Sequence, residues 1–192
     1  MMAENLQKIF DKYRYDSTIA TKSRNWFQQQ STLLASKRLN EKKLFAEQNV
    51  VSKIVPGKLY MFYYDPKYKE ELPYYDRFPL VFPYAKTEDG FIGLNMHYLP
   101  HFHRVQLMTR LMQFASNKNL DENTKIKYSW QLISGVSRFR DAEPCIKQYL
   151  KGHVQSMFIE IPGQDWHTAM MLPVERFVGK SKQGVWGDSL RK

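Results

Sequence analysis

Apolar side chains at Leu6, Ile9, Phe10 and Tyr13 recur at the spacing of one helical stripe, which predicts a short amphipathic helix over residues 4–15. From 21 to 47 the pattern turns polar and basic, with apolar points at Trp26, Phe27, Leu33, Leu34, Leu39, Leu44 and Phe45 and no Gly or Pro to interrupt it. Residues 1–55 therefore read as a helical, partly extended arm. At Pro56-Gly57 β-branched and aromatic residues replace the helix formers. Strands are predicted over 58–64, 78–83 and 91–97, joined by turns at Asp65-Pro66-Lys67 and Glu88-Asp89-Gly90, which makes a meander. A fourth strand falls at 156–162, then a turn at Gly163-Gln164-Asp165 and an apolar segment at 166–172 whose type the pattern leaves open.

Helical periods return between these strands. After Pro100 the residues Phe102, Val105, Met108, Met112 and Ala115 share a face, and Asp121 is a good N-cap for a helix aligning Ile126, Trp130, Ile133 and Val136. A third helix is predicted from a cap at Asp141, with Pro144 in its first turn, a face of Ile146, Tyr149 and Leu150, and a stop at Gly152. The stretch 179–192 is polar around an isolated Trp186 and reads as an extended tail. The sum is an α+β fold: a small antiparallel β-sheet or barrel over 56–178 with inserted helices, an N-terminal helical arm and a C-terminal tail.

Composition narrows the function classes. No run reaches the roughly 18 to 20 apolar residues of a membrane span, so no membrane partner is expected, and residues 1–5 carry no apolar leader, which points to assembly in the cytoplasm. Cys145 stands alone, which excludes an internal disulfide and a multi-thiolate zinc site and leaves a small buried hydrophobe. The 29 lysines and arginines exceed the 19 acidic residues to give a net charge of +10, a balance that favours a polyanion or an acidic protein face as partner.

Enzymatic chemistry finds little support. His97, His101 and His103 lie close together, but the last two are two apart at a helix start, face different ways and have no acidic residue near in sequence to complete a metal site. Glu70-Glu71 and Glu88-Asp89 are turn acids, while Asp121, Glu122 and Asp141 suit helix N-termini. Glu160 sits in a strand and is expected on its outward face. With no phosphate loop and no nucleophile–base ordering, no catalytic residue, metal or cofactor is expected and the chain reads as a non-enzyme. The strongest local signal is aromatic and basic interleaving: Tyr60, Phe62, Tyr63, Tyr64, Tyr68, Tyr74, Tyr75 and Phe78 among Lys58, Lys67, Lys69 and Arg77. Outward rings beside cations can stack bases and neutralise phosphates, although half of these rings must face the core and the rest could equally anchor a protein interface.

The block PGKLYMFYYDPKYKEELPYYDRFPLVFPYAKTEDGFIGLNMHYLP, with SRFRDAEPCIKQYL and WHTAMMLPVERFVGKSKQGVWGDS, resembles the DNA end protector proteins of T-even-type tailed phages over the chain from Pro56 onward. The resemblance implies a virion protein that covers the ends of packaged linear double-stranded DNA at the head or neck and touches other head, neck or tail proteins, including further copies of itself. The alternative is a structural subunit of tail, baseplate or neck that binds only other virion proteins, for which the arm, Trp186 and the tail speak. The strands opening Gly57-Lys58-Leu59-Tyr60 and Phe78-Pro79-Leu80-Val81 also resemble the small barrel of messenger-RNA-cleaving toxins. Arg77 to Val81 fits that pattern only in part, so the barrel shape is implied and the nuclease activity is not. A DNA-binding surface would draw on Lys58, Lys67, Lys69 and Arg77, on Arg138 and Arg140 around Phe139, and on Lys180, Lys182, Arg191 and Lys192.

Overall fold

A computed structural model describes Leu6, Lys8, residues 49–171 and residues 174–191. Most of the segment read as an arm, with its basic residues Lys22, Arg24, Lys37, Arg38, Lys42 and Lys43, lies outside the described residues, as does Lys192. Leu6 is helical and fully buried in the main core.

The period-2 segments pair as the alternation requires. Strands β1 (Asn49–Val51), β2 (Leu59–Met61), β4 (Leu80–Lys86), β5 (Gly90–Asn95), β6 (Ile146–Leu150) and β7 (Phe158–Ile161) form one antiparallel sheet in the order β1-β7-β2-β4-β5-β6. The predicted meander is β2-β4-β5, and the distant fourth strand joins it beside β2. A separate ribbon pairs β3 (Tyr75–Asp76) with β8 (Phe177–Val178). Strand β1 lies inside the segment read as arm, so the sheet begins earlier than the composition break suggests.

Side chains alternate across β2, and both faces are buried. Leu59 and Met61 join Leu80, Phe82, Leu94 and Ile161 beneath the helices, whereas Tyr60, Phe62, Tyr64, Val81, Phe91 and Tyr149 make a second core on the opposite face. Phe62 is the hub of that ring cluster, with edge contacts to Tyr149 at 5.2 Å and Phe158 at 5.1 Å. Chain segments following β2 and β6 return over this face through a bridge between Tyr64 and Val154. The sheet does not close, since β1 and β6 pair on one side only, which sets the barrel expectation aside in favour of an open sheet.

Helices α1 (His101–Ala115) and α2 (Glu122–Val136) cover the main face. Asp121 caps α2 as expected, its carboxylate accepting from Thr124 N–H at 3.0 Å. The buried face of α1 is rotated from the predicted one: His103, Arg104, Leu107, Met108, Leu111 and Phe114 point inward, while Phe102, Val105, Met112 and Ala115 are only half-buried. An apolar pattern could not find this face because Arg104 sits in it, paired with buried Glu175 at 2.9 Å. On α2 the buried positions are Ser129, Leu132, Ile133 and Val136, and Trp130 lies at the rim, its indole N–H donating to the Tyr84 carbonyl.

Two local readings need correction, and one left open is resolved. The helix expected over 141–152 is a 3-10 turn, Arg140–Cys145, followed by strand β6. Its short apolar spacing fits either period, and the open edge of β5 supplies backbone partners that decide the matter. The apolar segment left open is helix α3 (Trp166–Met171). The tail read as extended is helix α4 (Lys182–Arg191), with Val185, Trp186 and Ser189 buried. Gly184 and Gly187 lower its helix propensity by about 1 kcal/mol each, so the sequence alone argues against it. Packing overrides them: the Trp186 indole donates to His97 O at 2.8 Å and Ser189 Oγ to Tyr98 O at 3.1 Å. Among the described residues no helix is long and apolar enough to cross a membrane.

Candidate nucleic-acid interface

The ribbon β3–β8 is too short to hold itself, because an isolated pair of strands is marginal in water even at full length. Buried polar groups tie it to the domain. Asp76 in β3 accepts from Phe78 N–H at 3.1 Å and from Asn95 Nδ2 at 3.1 Å, and its Oδ2 lies 2.7 Å from His97 Nδ1. Asn95 in turn donates to the Tyr149 hydroxyl at 3.1 Å. Just before β8, Glu175 meets Arg104, whose guanidinium also donates to the carbonyls of His97 and Met170. Burial pushes the Glu175 carboxyl up, but the charges of Arg104 and His97 outweigh it and hold the group at about 2. Asp76 and Arg104 each meet several partners and Glu175 is paired with Arg104, the condition under which burying such charges is tolerable.

On top of this clamp the backbone sets three segments side by side. Tyr64 N–H donates to Arg77 O at 3.0 Å, and Arg77 N–H to Arg176 O at 3.0 Å. The exposed Arg77 and Arg176 therefore stand next to Tyr63, which is 42% exposed. Arg176 lies 6.0 Å from the Tyr63 ring and 5.5 Å from that of Phe78. The same combination recurs around the ribbon: Lys180 over Tyr74 at 5.4 Å, Lys147 over Tyr98 at 4.3 Å and Lys182 over Trp186 at 5.9 Å. Tyr98 and Trp186 are themselves buried; Tyr98 packs edge-on against Phe177 of β8 and stacks with Tyr74, which ties the Lys147 and Lys180 pairs to the ribbon. Cation–π pairs of this kind hold a positive charge over a ring while leaving it open to a further anion.

Of the cations named from sequence, the fold brings Arg77, Lys180 and Lys182 to this surface, with Arg191 on the same helix as Lys182. Lys67 and Lys69 sit in the turn before β3, where Lys69 bonds both Asp65 oxygens at 3.0 Å and Lys67 lies 5.2 Å from the Tyr68 ring. The Asp65 hydrogen bond and charge raise the affinity of Lys69 for its proton. Arg140 opens the turn that packs against α4, and exposed Arg138 follows α2. Lys58 is elsewhere, on the sheet, bonded to Glu160 at 2.7 Å. Glu160, expected outward, is half-buried and also lies 3.5 Å from the Tyr60 hydroxyl. Lys180 is paired with Asp188, and its hydrogen bond lowers the Asp188 pKa. An exposed pair of this sort contributes little, so a phosphate can replace the carboxylate at little cost.

Sequence reasoning missed Arg176 and Lys147. Lys147 lies in a strand that reads as a helix, and Arg176 directly precedes a strand of two residues, too short to recognise, although Glu175-Arg176-Phe177-Val178 does alternate polar with apolar before Gly179. Half of the rings in that run face the core, as the alternation requires: Tyr60, Phe62, Tyr64 and Phe78 are core residues, Tyr74 and Tyr75 are half-buried, and Tyr63 and Tyr68 are the exposed members. The three neighbouring histidines have separate fates: His97 faces Asp76, His101 packs on Trp186 at 4.2 Å, and His103 is buried in α1. Cys145 is fully buried, and burial pushes its thiol up to about 12.

A family model described as phage T4 terminal DNA protecting protein matches residues 3–188. No curated protein and no solved structure matches the chain.

Proposed function

The chain belongs to the phage T4 terminal DNA protecting protein family and is thus a phage protein that protects DNA ends, and we propose that it does so by occupancy, gripping the terminal duplex with the cationic and aromatic surface around the β3–β8 ribbon. The observation that carries this reading is the juxtaposition of exposed Arg77 and Arg176 with the Tyr63 ring on a ribbon held by buried charges. Lys180, Lys182, Arg140 and Arg191 extend the surface, with Lys67, Lys69 and Arg138 at its margins. Lys58, engaged with Glu160, contributes least. Protection in this reading involves no bond-making or bond-breaking step. The same proposal puts the protein in the virion at the head or neck, among other virion proteins and after assembly in the host cytoplasm, because an end-binding protein must act where the packaged molecule ends. The arm before Asn49 is proposed to serve those protein contacts.

Linear duplex with exposed ends, offered to the full chain over a range of salt and beside closed circular duplex, tests the reading. Affinity for the linear form should exceed that for the circle and should fall with a log–log slope of about −0.9 per phosphate contacted. Arg77→Ala with Arg176→Ala should lower that slope by about 2. Equal affinity for circle and linear DNA, or binding indifferent to salt, would overturn it.

A further inference from the structure

Resting on that reading of the surface, we propose that Tyr63 is its end-reading residue: the outward face of its ring stacks on the terminal base pair of a duplex while Arg77 and Arg176 take the adjoining phosphates.

The geometry leaves one ring face to a ligand. The centroids of Tyr63 and buried Phe78 are 4.5 Å apart at an interplanar angle of 33°, so Phe78 backs one side of Tyr63. Arg176 is 6.0 Å from Tyr63 and 5.5 Å from Phe78, nearly equidistant. A guanidinium on the far face of Tyr63 would be much farther from Phe78 than from Tyr63. It therefore lies alongside the pair, within 3.5 Å of the Tyr63 hydroxyl, and among the described residues no second ring is stacked on the far face of Tyr63, which is 42% exposed.

The ring is also held in place. Tyr63 N–H donates to Ser156 Oγ at 2.9 Å, and its carbonyl accepts from Gln155 N–H at 2.8 Å. The next residue is fixed by its own bond to Arg77 and by the Tyr64–Val154 bridge. An aromatic platform fixed before binding loses little conformational freedom when a base settles on it.

What such a platform recognises follows from the ligand. Inside a duplex every base face is covered by its neighbours, and only the last pair presents a bare, flat, apolar face with phosphates at its edge. An exposed ring with Arg176 beside it and Arg77 on the adjacent segment complements that terminus and has nothing to stack on along the interior.

The test uses a short duplex with one end closed by a hairpin loop and the other blunt, and the same duplex with both ends closed, each labelled for fluorescence anisotropy at one salt concentration. Tyr63→Leu keeps an apolar contact on Phe78 but removes the flat ring, and Tyr63→Phe keeps the ring. Tyr63→Leu should weaken binding to the blunt-ended duplex roughly 5- to 150-fold and leave the fully closed one unchanged, while Tyr63→Phe binds as the parent does. If Tyr63→Leu keeps the parent's affinity for the blunt end, or weakens both duplexes alike, Tyr63 does not read ends. A parent protein that fails to separate the two duplexes defeats the end-binding reading itself; one that separates them while Tyr63→Leu does so equally well defeats this inference alone.

Discussion

Replacing Glu175 with Gln removes a buried charge that touches no candidate ligand and yet holds the ribbon in place. The carboxyl is held at about 2 in the fold against an ordinary value of 4.5. Because the folded value is the lower one, its contribution is complete above 4.5 and disappears as pH falls through about 2. At roughly 1.4 kcal/mol for each tenfold change in proton affinity, the difference amounts to about 3 kcal/mol at neutral pH. That figure agrees with the roughly 3–5 kcal/mol lost when one partner of a buried pair is removed. Gln keeps an acceptor for Arg104, so a loss of about 2–3 kcal/mol is expected at pH 7. Urea unfolding followed by tryptophan fluorescence reports it well, since Trp186 lies 5.6 Å from Arg104. Repeated at falling pH, the gap between parent and Glu175→Gln should shrink, with less than half left at about pH 3. Two curves that fall in parallel from pH 5 to 3, or a gap under about 0.5 kcal/mol at pH 7, would refute the reasoning, because the pair would then contribute nothing that protonation can remove.

Phe62→Ala empties the centre of the ring cluster and should cost about 3–5 kcal/mol in the same unfolding assay. Gly57 has φ +92°, and a Cβ there would stand 2.5 Å from the Ile126 carbonyl oxygen, so Gly57→Ala should destabilise by roughly 1–3 kcal/mol. The buried Cys145 thiol, pushed up to about 12, should resist a disulfide reagent at pH 8 in native protein and react promptly in urea; fast native labelling would contradict its placement.

The readable parts of the chain were those in which one physical signal dominated. Alternating β-branched and aromatic residues marked β2, β4, β5 and β7, and the Asp121 cap marked α2, because local pattern and tertiary environment demand the same thing there. Arg104 shows the opposite case: its burial depends on Glu175, 71 positions away, so the apolar pattern sets the buried face of α1 to one side of where it lies. Helix α4 exists because Trp186 finds the His97 carbonyl, a partner 89 positions away, and its two glycines concealed it. The candidate surface was legible as a composition of rings and cations, but not as a place. Which rings emerge depends on whether β2 is buried on one face or two, and that is settled by residues as distant as Tyr149, Val154 and Phe158.

The clamp and the surface make a joint claim that can be separated from direct contact. Asp76 is buried and can meet no phosphate, yet it fixes β3 through Phe78 N–H, Asn95 and His97. In Asp76→Asn one of the two acceptor positions becomes an amide donor, facing either Phe78 N–H or both Asn95 Nδ2 and His97, so the ribbon loses part of its anchorage while every surface cation remains. Affinity for duplex ends should then fall several-fold through the lower population of correctly placed ribbon. The log–log salt slope should be unchanged, since the number of phosphates met in the bound state is the same. Arg77→Ala should do the reverse, reducing the slope by about 0.9 with the fold intact. If Asp76→Asn lowered the slope as Arg77→Ala does, the buried network would not be acting through the placement of the ribbon, and the link drawn here from core charge to binding surface would fail.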